Sequence, residues 1–335
     1  MSDTMETTGA ATGMPVRESV FAEIPDTAKP VSGWWAIPQG VLIWVASAIV
    51  GLILAAIAGI AGAALVADSG LTQEELANNP PAEIMVPAVV GFVLGFFGST
   101  ILFSVLKVKM EKRSLASAGL GDFLYGAKFW PGLLGGVLLA IVLISPMAIV
   151  GDIWDSMPVG EPDWSKVTTN EFYIACAILF VIVMVQAPSE EVMFRGWMFS
   201  GLGARHGLMA AVILSSLFFG LAHGDRAFVN PTIGLYYIIL TAALGFLFAG
   251  VSKATGSVAV AAGLHTGYNL TLMILAAAVI TATSEGSLLD AFMQILDVSD
   301  IEPPELGLPL LFDMGARTLI PIGLGLWFLN RHRKA

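Results

Sequence analysis

Charge is scarce in this chain. Only 13% of its 335 residues are Asp, Glu, Lys or Arg, against ~25% in a typical soluble protein. Apolar residues make up 56%, so soluble-domain counting does not apply and the composition is that of a polytopic membrane protein. Cysteine is nearly absent. Cys176 stands alone inside an apolar run, which excludes an intrachain disulfide framework and a cysteine-based zinc site. It reads as a small packing residue. Histidine is rare too, with four in the chain, so each one placed in an apolar segment carries weight.

What remains is a series of long apolar segments, and they predict an all-α transmembrane helix bundle of about eight spans. The expected spans are Val41 to Val66, Met85 to Leu106, Phe129 to Val150, one beginning at Phe172, Leu208 to His223, Ile233 to Val251, Val258 to Ile280 and Leu308 to Leu329. Trp34 and Trp35 mark a membrane interface ahead of the first span. Gly91, Gly95 and Gly98 give the second span a small-residue face suited to close helix packing. Residues 1–33 are rich in small and polar residues and read as a disordered tail, with a short amphipathic piece from Val20 to Ile24. The loops carry opposite charge. Asp68, Glu74, Glu75 and Glu83 sit in one, Asp152 to Glu171 in another, and Glu285 to Glu305 in a third. Lys107, Lys109, Lys112, Arg113 and Lys128 share a different loop, and the chain ends Arg331-His332-Arg333-Lys334. By the positive-inside rule both termini are expected in the cytoplasm.

Against this background the polar residues within spans stand out. Charges at membrane depth cost ~2.5–3.5 kcal/mol each on insertion scales, so they are paired or functional. Pro188-Ser189-Glu190-Glu191-Val192-Met193-Phe194-Arg195 closes the apolar run from Phe172. Residues four apart share a helix face, so Glu191 can pair with Arg195 while Glu190 points about 100° away. Phe219 and His223 share a face, as do His265 and Asn269. Taken singly, a Glu–Arg pair is often a solvated helix end, a lone histidine a satisfied core residue, and Asn269 a helix–helix hydrogen bond. Phe219 reads as packing, and His206 and His332 as surface. Together they assemble the parts for hydrolysis within a membrane. A buried carboxylate is shifted toward the range of a general base. Pro188 removes a backbone donor and can kink its helix, opening a gap for water.

Other protease signatures are missing. There is no His-Glu-x-x-His and no Gly-x-Ser-x-Gly. Gly119-Leu120-Gly121-Asp122 has the form used by intramembrane aspartyl proteases, but it falls in the basic loop and no Tyr-Asp partner exists.

Glu-Glu-x-x-x-Arg at 190–195, Phe-x-x-x-His at 219–223 and His-x-x-x-Asn at 265–269 resemble the type II CAAX prenyl endopeptidases and bacteriocin-processing proteins, the CPBP intramembrane proteases. The resemblance covers about residues 85–330. It leaves 34–84 as a first span with an acidic external loop and 331–335 as a basic cytoplasmic tail. It implies peptide-bond hydrolysis in a cavity open to the cytoplasm. Glu190 would activate water with help from His223, and His265 and Asn269 would stabilise the oxyanion. Glu191, Arg195 and Phe219 would support them. Glu190, His223 and His265 are also the candidates for holding zinc, with one position left for water, although the same residues can act without metal. The implied partners are a peptide or protein substrate, lipidated in the family's type case, and membrane lipid, with no nucleic acid. The acidic exterior suits a bacterial inner membrane.

Two other readings use the same residues. One is a non-catalytic immunity or scaffolding protein of the same shape. The other is a proton-coupled transporter with Glu190 and His223 as a relay; no internal repeat supports it. One expectation strains the protease reading. If the fourth span ends near Arg195 and Gly196 to Gly207 is a connection, Glu190 lies at the inner membrane edge. His223 then lies sixteen residues into the fifth span, about 24 Å away at ~1.5 Å per residue.

Overall fold

The computed structural model describes residues 17–18, 20–25, 27–31, 33–67, 81–150, 162–228, 231–283 and 308–331. The three acidic loops fall largely outside these residues, as do the first sixteen positions and His332 to Ala335. Eight helices make up the described bundle: α1 (Ala36–Leu65), α2 (Ala82–Met110), α3 (Phe129–Val150), α4 (Asn170–His206), α5 (Leu208–Leu221), α6 (Pro231–Thr255), α7 (Val258–Thr283) and α8 (Leu308–Leu329). Five are long and apolar enough to cross a membrane: α1, α2, α4, α6 and α7. A two-residue antiparallel pairing, Arg17–Glu18 with Glu23–Ile24, precedes them.

Glycine sets how closely the helices approach. On α3 and α7, Gly132 and Gly136 face Gly263 and Gly267. A Cβ on Gly132 would collide with the Val260 carbonyl oxygen, one on Gly136 with that of Leu264, one on Gly263 with that of Phe129, and one on Gly267 with that of Leu133. The two backbones therefore touch directly, as small-xxx-small pairs allow, and this contact fixes the helix that carries His265. The second-span glycines behave unevenly. Gly91 and Gly95 press on Leu54 and Gly51 of α1, whereas Gly98 has nothing within 4 Å.

The expected loop from Gly196 to Gly207 is helix instead. α4 runs unbroken to His206, through a π-helical stretch at Val192–Phe199 whose residues are all buried. The helix ends only at Gly207, where φ is +82°, a conformation that costs glycine nothing. The glycines at 201 and 203 do not end the helix because neighbours fill the space: Val31 lies over Gly201 and Val20 over Gly203.

Those neighbours belong to the segment expected as a disordered tail. Phe21, Ile24 and Val31 are buried, and Phe21 meets Phe199 edge-on with ring centres 5.9 Å apart. The Gly33 N–H donates to His206 Nε2 at 3.0 Å and Arg205 Nη1 donates to the Pro30 carbonyl at 2.9 Å. Residues 20–25 and 27–31 are thus packed onto the end of α4.

Arg113 also departs from expectation, since it is not a solvated loop cation. It is buried, pairs with Glu111 at 2.9 Å, and donates to Ser200 Oγ at 2.6 Å and the Trp197 carbonyl at 3.0 Å. Trp197 Nε1 donates back to Glu111 Oε1 at 2.7 Å. Burial pulls the Arg113 guanidinium below its ordinary range, and the Glu111 charge works against that.

Hydrogen bonds gather the short connections at one end of the bundle: Lys29 to Glu111, Val258 to Gly119, and Lys253 Nζ to the Leu329 and Arg331 carbonyls. The N-terminal segment, the lysine-rich loop and the last described residue share that end. A second charge pair within an apolar helix lies in α8. Arg317 Nε is 2.8 Å from Asp313 Oδ1, and Tyr236 on α6 donates to Asp313 Oδ2 at 2.8 Å.

Gly136→Val should lower the unfolding temperature of the detergent-purified protein, because overpacking costs ~1–3 kcal/mol. Gly98→Ala, made in a helix interior where there is room, should leave it unchanged or raise it slightly, since alanine favours helix over glycine.

Candidate active site

The unbroken α4 removes the strain noted above. Glu190 lies seventeen positions before Gly207 and His223 sixteen positions after it. α4 and α5 form a hairpin about that glycine, and both side chains sit at the same height on its two arms. Oε2 of Glu190 is 3.9 Å from Nε2 of His223 and 3.9 Å from Nε2 of His265. The three groups converge from α4, the end of α5 and α7.

The two glutamates divide as their helical spacing suggests. Glu191 is fully buried. Its Oε2 lies 3.2 Å from Arg195 Nε, and its Oε1 accepts from His265 Nδ1 at 2.9 Å. Arg195 is fully buried as well. Its Nη2 donates to the Gly245 carbonyl at 3.0 Å. Its guanidinium carbon stands 4.4 Å from the Phe219 ring centre and 5.3 Å from that of Phe248, so aromatic faces stabilise the cation where water cannot. Phe219 therefore does more than fill space. It touches Arg195, His223 and His265 together, with ring centres 4.8 Å from His223 and 5.7 Å from His265.

Partner chemistry fixes the histidine protons. The Phe219 carbonyl can only accept, so His223 Nδ1 donates to it at 2.8 Å, and Nε2 is left facing Glu190. His265 donates from Nδ1 to Glu191. Its Nε2 lies 3.1 Å from Asn269 Nδ2, an amide nitrogen that can only donate, so Nε2 accepts. Asn269 Nδ2 also donates to Gln186 Oε1 at 3.1 Å. Gln186 Nε2 in turn donates to Glu190 Oε1 at 2.5 Å. The other oxygen, Glu190 Oε2, is buried and has no hydrogen-bond partner among the described residues. Two polar nitrogens 3.9 Å from a bare carboxylate oxygen leave a gap of the kind a bridging water fills.

Sequence reasoning missed three contributors. Gln186 could have been found: it is a lone polar residue in an apolar run, one helical turn before Glu190. Phe248, stacked on His265 with ring centres 4.9 Å apart, and Gly245 carried no such signal, because both act only through tertiary packing.

Pro188 has a traceable effect. Its missing N–H leaves the Met184 carbonyl without its helical donor, and Tyr125 Oη donates to that carbonyl at 2.7 Å. The helix passes into its π-helical stretch directly after the glutamates, a feature often found at functional sites.

Zinc would bind its donors at ~2.0–2.2 Å with tetrahedral angles, which places neighbouring donors roughly 3.3 Å apart. Both Glu190–histidine distances are longer, and the His265 Nε2 lone pair faces Asn269. Among the described residues no group of three His, Cys, Asp or Glu is arranged to hold a metal ion. An apolar groove of about 370 Å³ lies between α3, α6, α7 and α8, lined by Gly135, Leu139, Leu264 and Phe328 among others. None of the candidate catalytic residues lines it.

Residues 172–271 match a family model described as type II CAAX prenyl endopeptidase Rce1-like. The similarity to this family is carried by that segment. The match spans α4 to the middle of α7 and contains Glu190, Glu191, Arg195, Phe219, His223, His265 and Asn269. It is shorter than the resemblance read from the motifs, and α1 to α3 and α8 lie outside it. No curated protein and no solved structure matches the chain. Five helices long and apolar enough to cross a membrane, together with similarity to a membrane protease family, mark this as an integral membrane protein.

Arg195→Leu should destabilise the protein by about 3–5 kcal/mol, the cost of leaving a buried charge unpaired. Tyr125→Phe should cost about 1–3 kcal/mol by stranding the Met184 carbonyl. Denaturation in detergent measures both.

Proposed function

We propose that the chain is an intramembrane endopeptidase in which Glu190 activates water for attack on a peptide bond. The observation that carries this reading is the bare Oε2 of Glu190, held 3.9 Å from two imidazole nitrogens. A water bridging Glu190 Oε2 and His223 Nε2 loses a proton to Glu190 as its oxygen bonds to the scissile carbonyl carbon. The protonated Glu190 then gives that proton to the leaving amine as the C–N bond breaks. His223 Nε2 accepts a hydrogen bond from the water and aims it. His265 and Asn269 flank the developing oxyanion. Both Asn269 hydrogens are engaged at rest, with His265 and with Gln186, so one must turn to the substrate as it binds. The Asn269 amide is the donor to the oxyanion, with His265 orienting it through Nε2, and a donor of this kind is worth ~10²–10³ in rate.

The mechanism runs without metal on the chain's own groups. The family suggests a lipidated, CAAX-type substrate. Both termini are cytoplasmic in this reading, the protein resides in a bacterial inner membrane, and the site is reached from the end that gathers the lysine-rich loop.

The test is cleavage of a quenched farnesylated peptide by the purified protein in detergent. Wild type should cut it, with a chelator leaving the rate unchanged. Glu190→Ala and His223→Ala should each abolish cleavage while unfolding at the wild-type temperature. A chelator-sensitive rate would overturn the metal-free mechanism. Folded wild type that cuts neither this peptide nor a set of unprenylated ones would overturn the protease reading in favour of an immunity or scaffolding protein.

A further inference from the structure

The two oxygens of Glu190 are not equivalent. Oε2 faces the two histidines with no hydrogen-bond partner among the described residues, while Oε1 accepts from Gln186. Gln186 sits four residues earlier on the same helix and is itself held from across the bundle, because its Oε1 accepts from Asn269 on α7. An amide offers one face that only donates and one that only accepts. With Asn269 donating to one end, the other end must present N–H to Glu190. The amide can therefore be oriented in one way only, and that orientation suits a carboxylate rather than a carboxylic acid at Oε1.

The same chain of bonds continues to His265. Asn269 donates to its Nε2, its Nδ1 donates to Glu191, and Arg195 balances Glu191. Gln186, Asn269 and His265 thus point their donors in a consistent direction, out from Asn269 toward the two glutamates, with Arg195 beside Glu191 as its counter-charge. We infer that Gln186 is a positioning residue for the reaction proposed above. It pins Oε1 of Glu190 so that Oε2 alone meets the water, and it ties the base to the Asn269–His265 pair. A free carboxylate rotates about its last bond and offers either oxygen in several directions. A hydrogen bond to one oxygen and a partner fixed on a second helix remove that freedom. The inference rests on the protease reading for its kinetic consequence, but the contact itself can be tested without activity.

Two variants separate the halves of the bridge. Gln186→Met keeps the length and removes both hydrogen bonds. Gln186→Glu keeps an acceptor for Asn269 and removes the donor to Glu190. In infrared spectra of protein carrying carbon-13 glutamate, the band lost in Glu190→Gln identifies the Glu190 carboxylate. That band should shift in Gln186→Met. A Glu190 band unmoved in Gln186→Met would overturn the inference whether or not any peptide is cut. With the farnesylated peptide, both variants should lose about 10²-fold in kcat, the typical cost of a misplaced catalytic group, with KM within about twofold of wild type, a threshold set by ordinary assay scatter. Combining Gln186→Met with Asn269→Ala should add little to the larger single loss, as for residues acting through one another. Unchanged kcat in both variants, strict additivity, or a loss that only tracks a lowered unfolding temperature would each overturn it. Failure of wild type to cut any peptide, with the band shift present, would sink the protease reading and leave the Glu190 contact standing.

Discussion

A carboxylate with no access to water must be compensated where it stands, and Glu191 is such a group. Its two oxygens are shared between Arg195 one turn along α4 and His265 on α7. Arg195 then needs its own surroundings, which three aromatic rings and the Gly245 carbonyl provide. Those rings include Phe219, which brings α5, and Phe248, which with Gly245 brings α6. Satisfying one buried charge thus recruits four helices. The neighbouring Glu190 stands outside that arrangement, and its Oε2 has no hydrogen-bond partner among the described residues.

The backbone serves the same end. Glycine-to-carbonyl contact between α3 and α7 leaves the His265 helix little room to slide. The buried Glu111–Arg113–Trp197 cluster grips α4 within its π-helical stretch. Tyr125 supplies the donor that Pro188 lacks. The irregular part of α4 is held from outside at both ends, so the glutamates adjoin a π-helical stretch that is nonetheless anchored.

The catalytic candidates were legible because each is a polar residue where lipid-facing or packing residues are the rule, at a spacing that only a helix makes meaningful. The helix content and the clustering of basic residues at one end were legible for the same reason. The continuation of α4 past Arg195 was not. Gly196, Gly201 and Gly203 lower local helix propensity, and Arg205 and His206 look like loop residues. Helicity there depends on Val20, Phe21 and Val31 packing from more than 160 residues away in sequence, information that no local pattern holds. Asp313 and Arg317 form an i, i+4 pair in the sequence, but their partner Tyr236 lies on another helix, which local spacing does not reveal.

The hairpin about Gly207 has a geometric consequence of its own. Its two arms place Glu190 and His223 at nearly equal chain distances from one pivot, so the hairpin works as a ruler. One residue added to a single arm would move its end by about 1.5 Å and rotate it by about 100°, enough to part the pair. Only matched changes to both arms, close to whole turns, would keep the two residues facing each other. Such changes would alter how far the carboxylate stands from the end of the bundle that gathers the basic residues. The length of this pair of helices is therefore a built-in setting of depth, independent of the chemistry it delivers there.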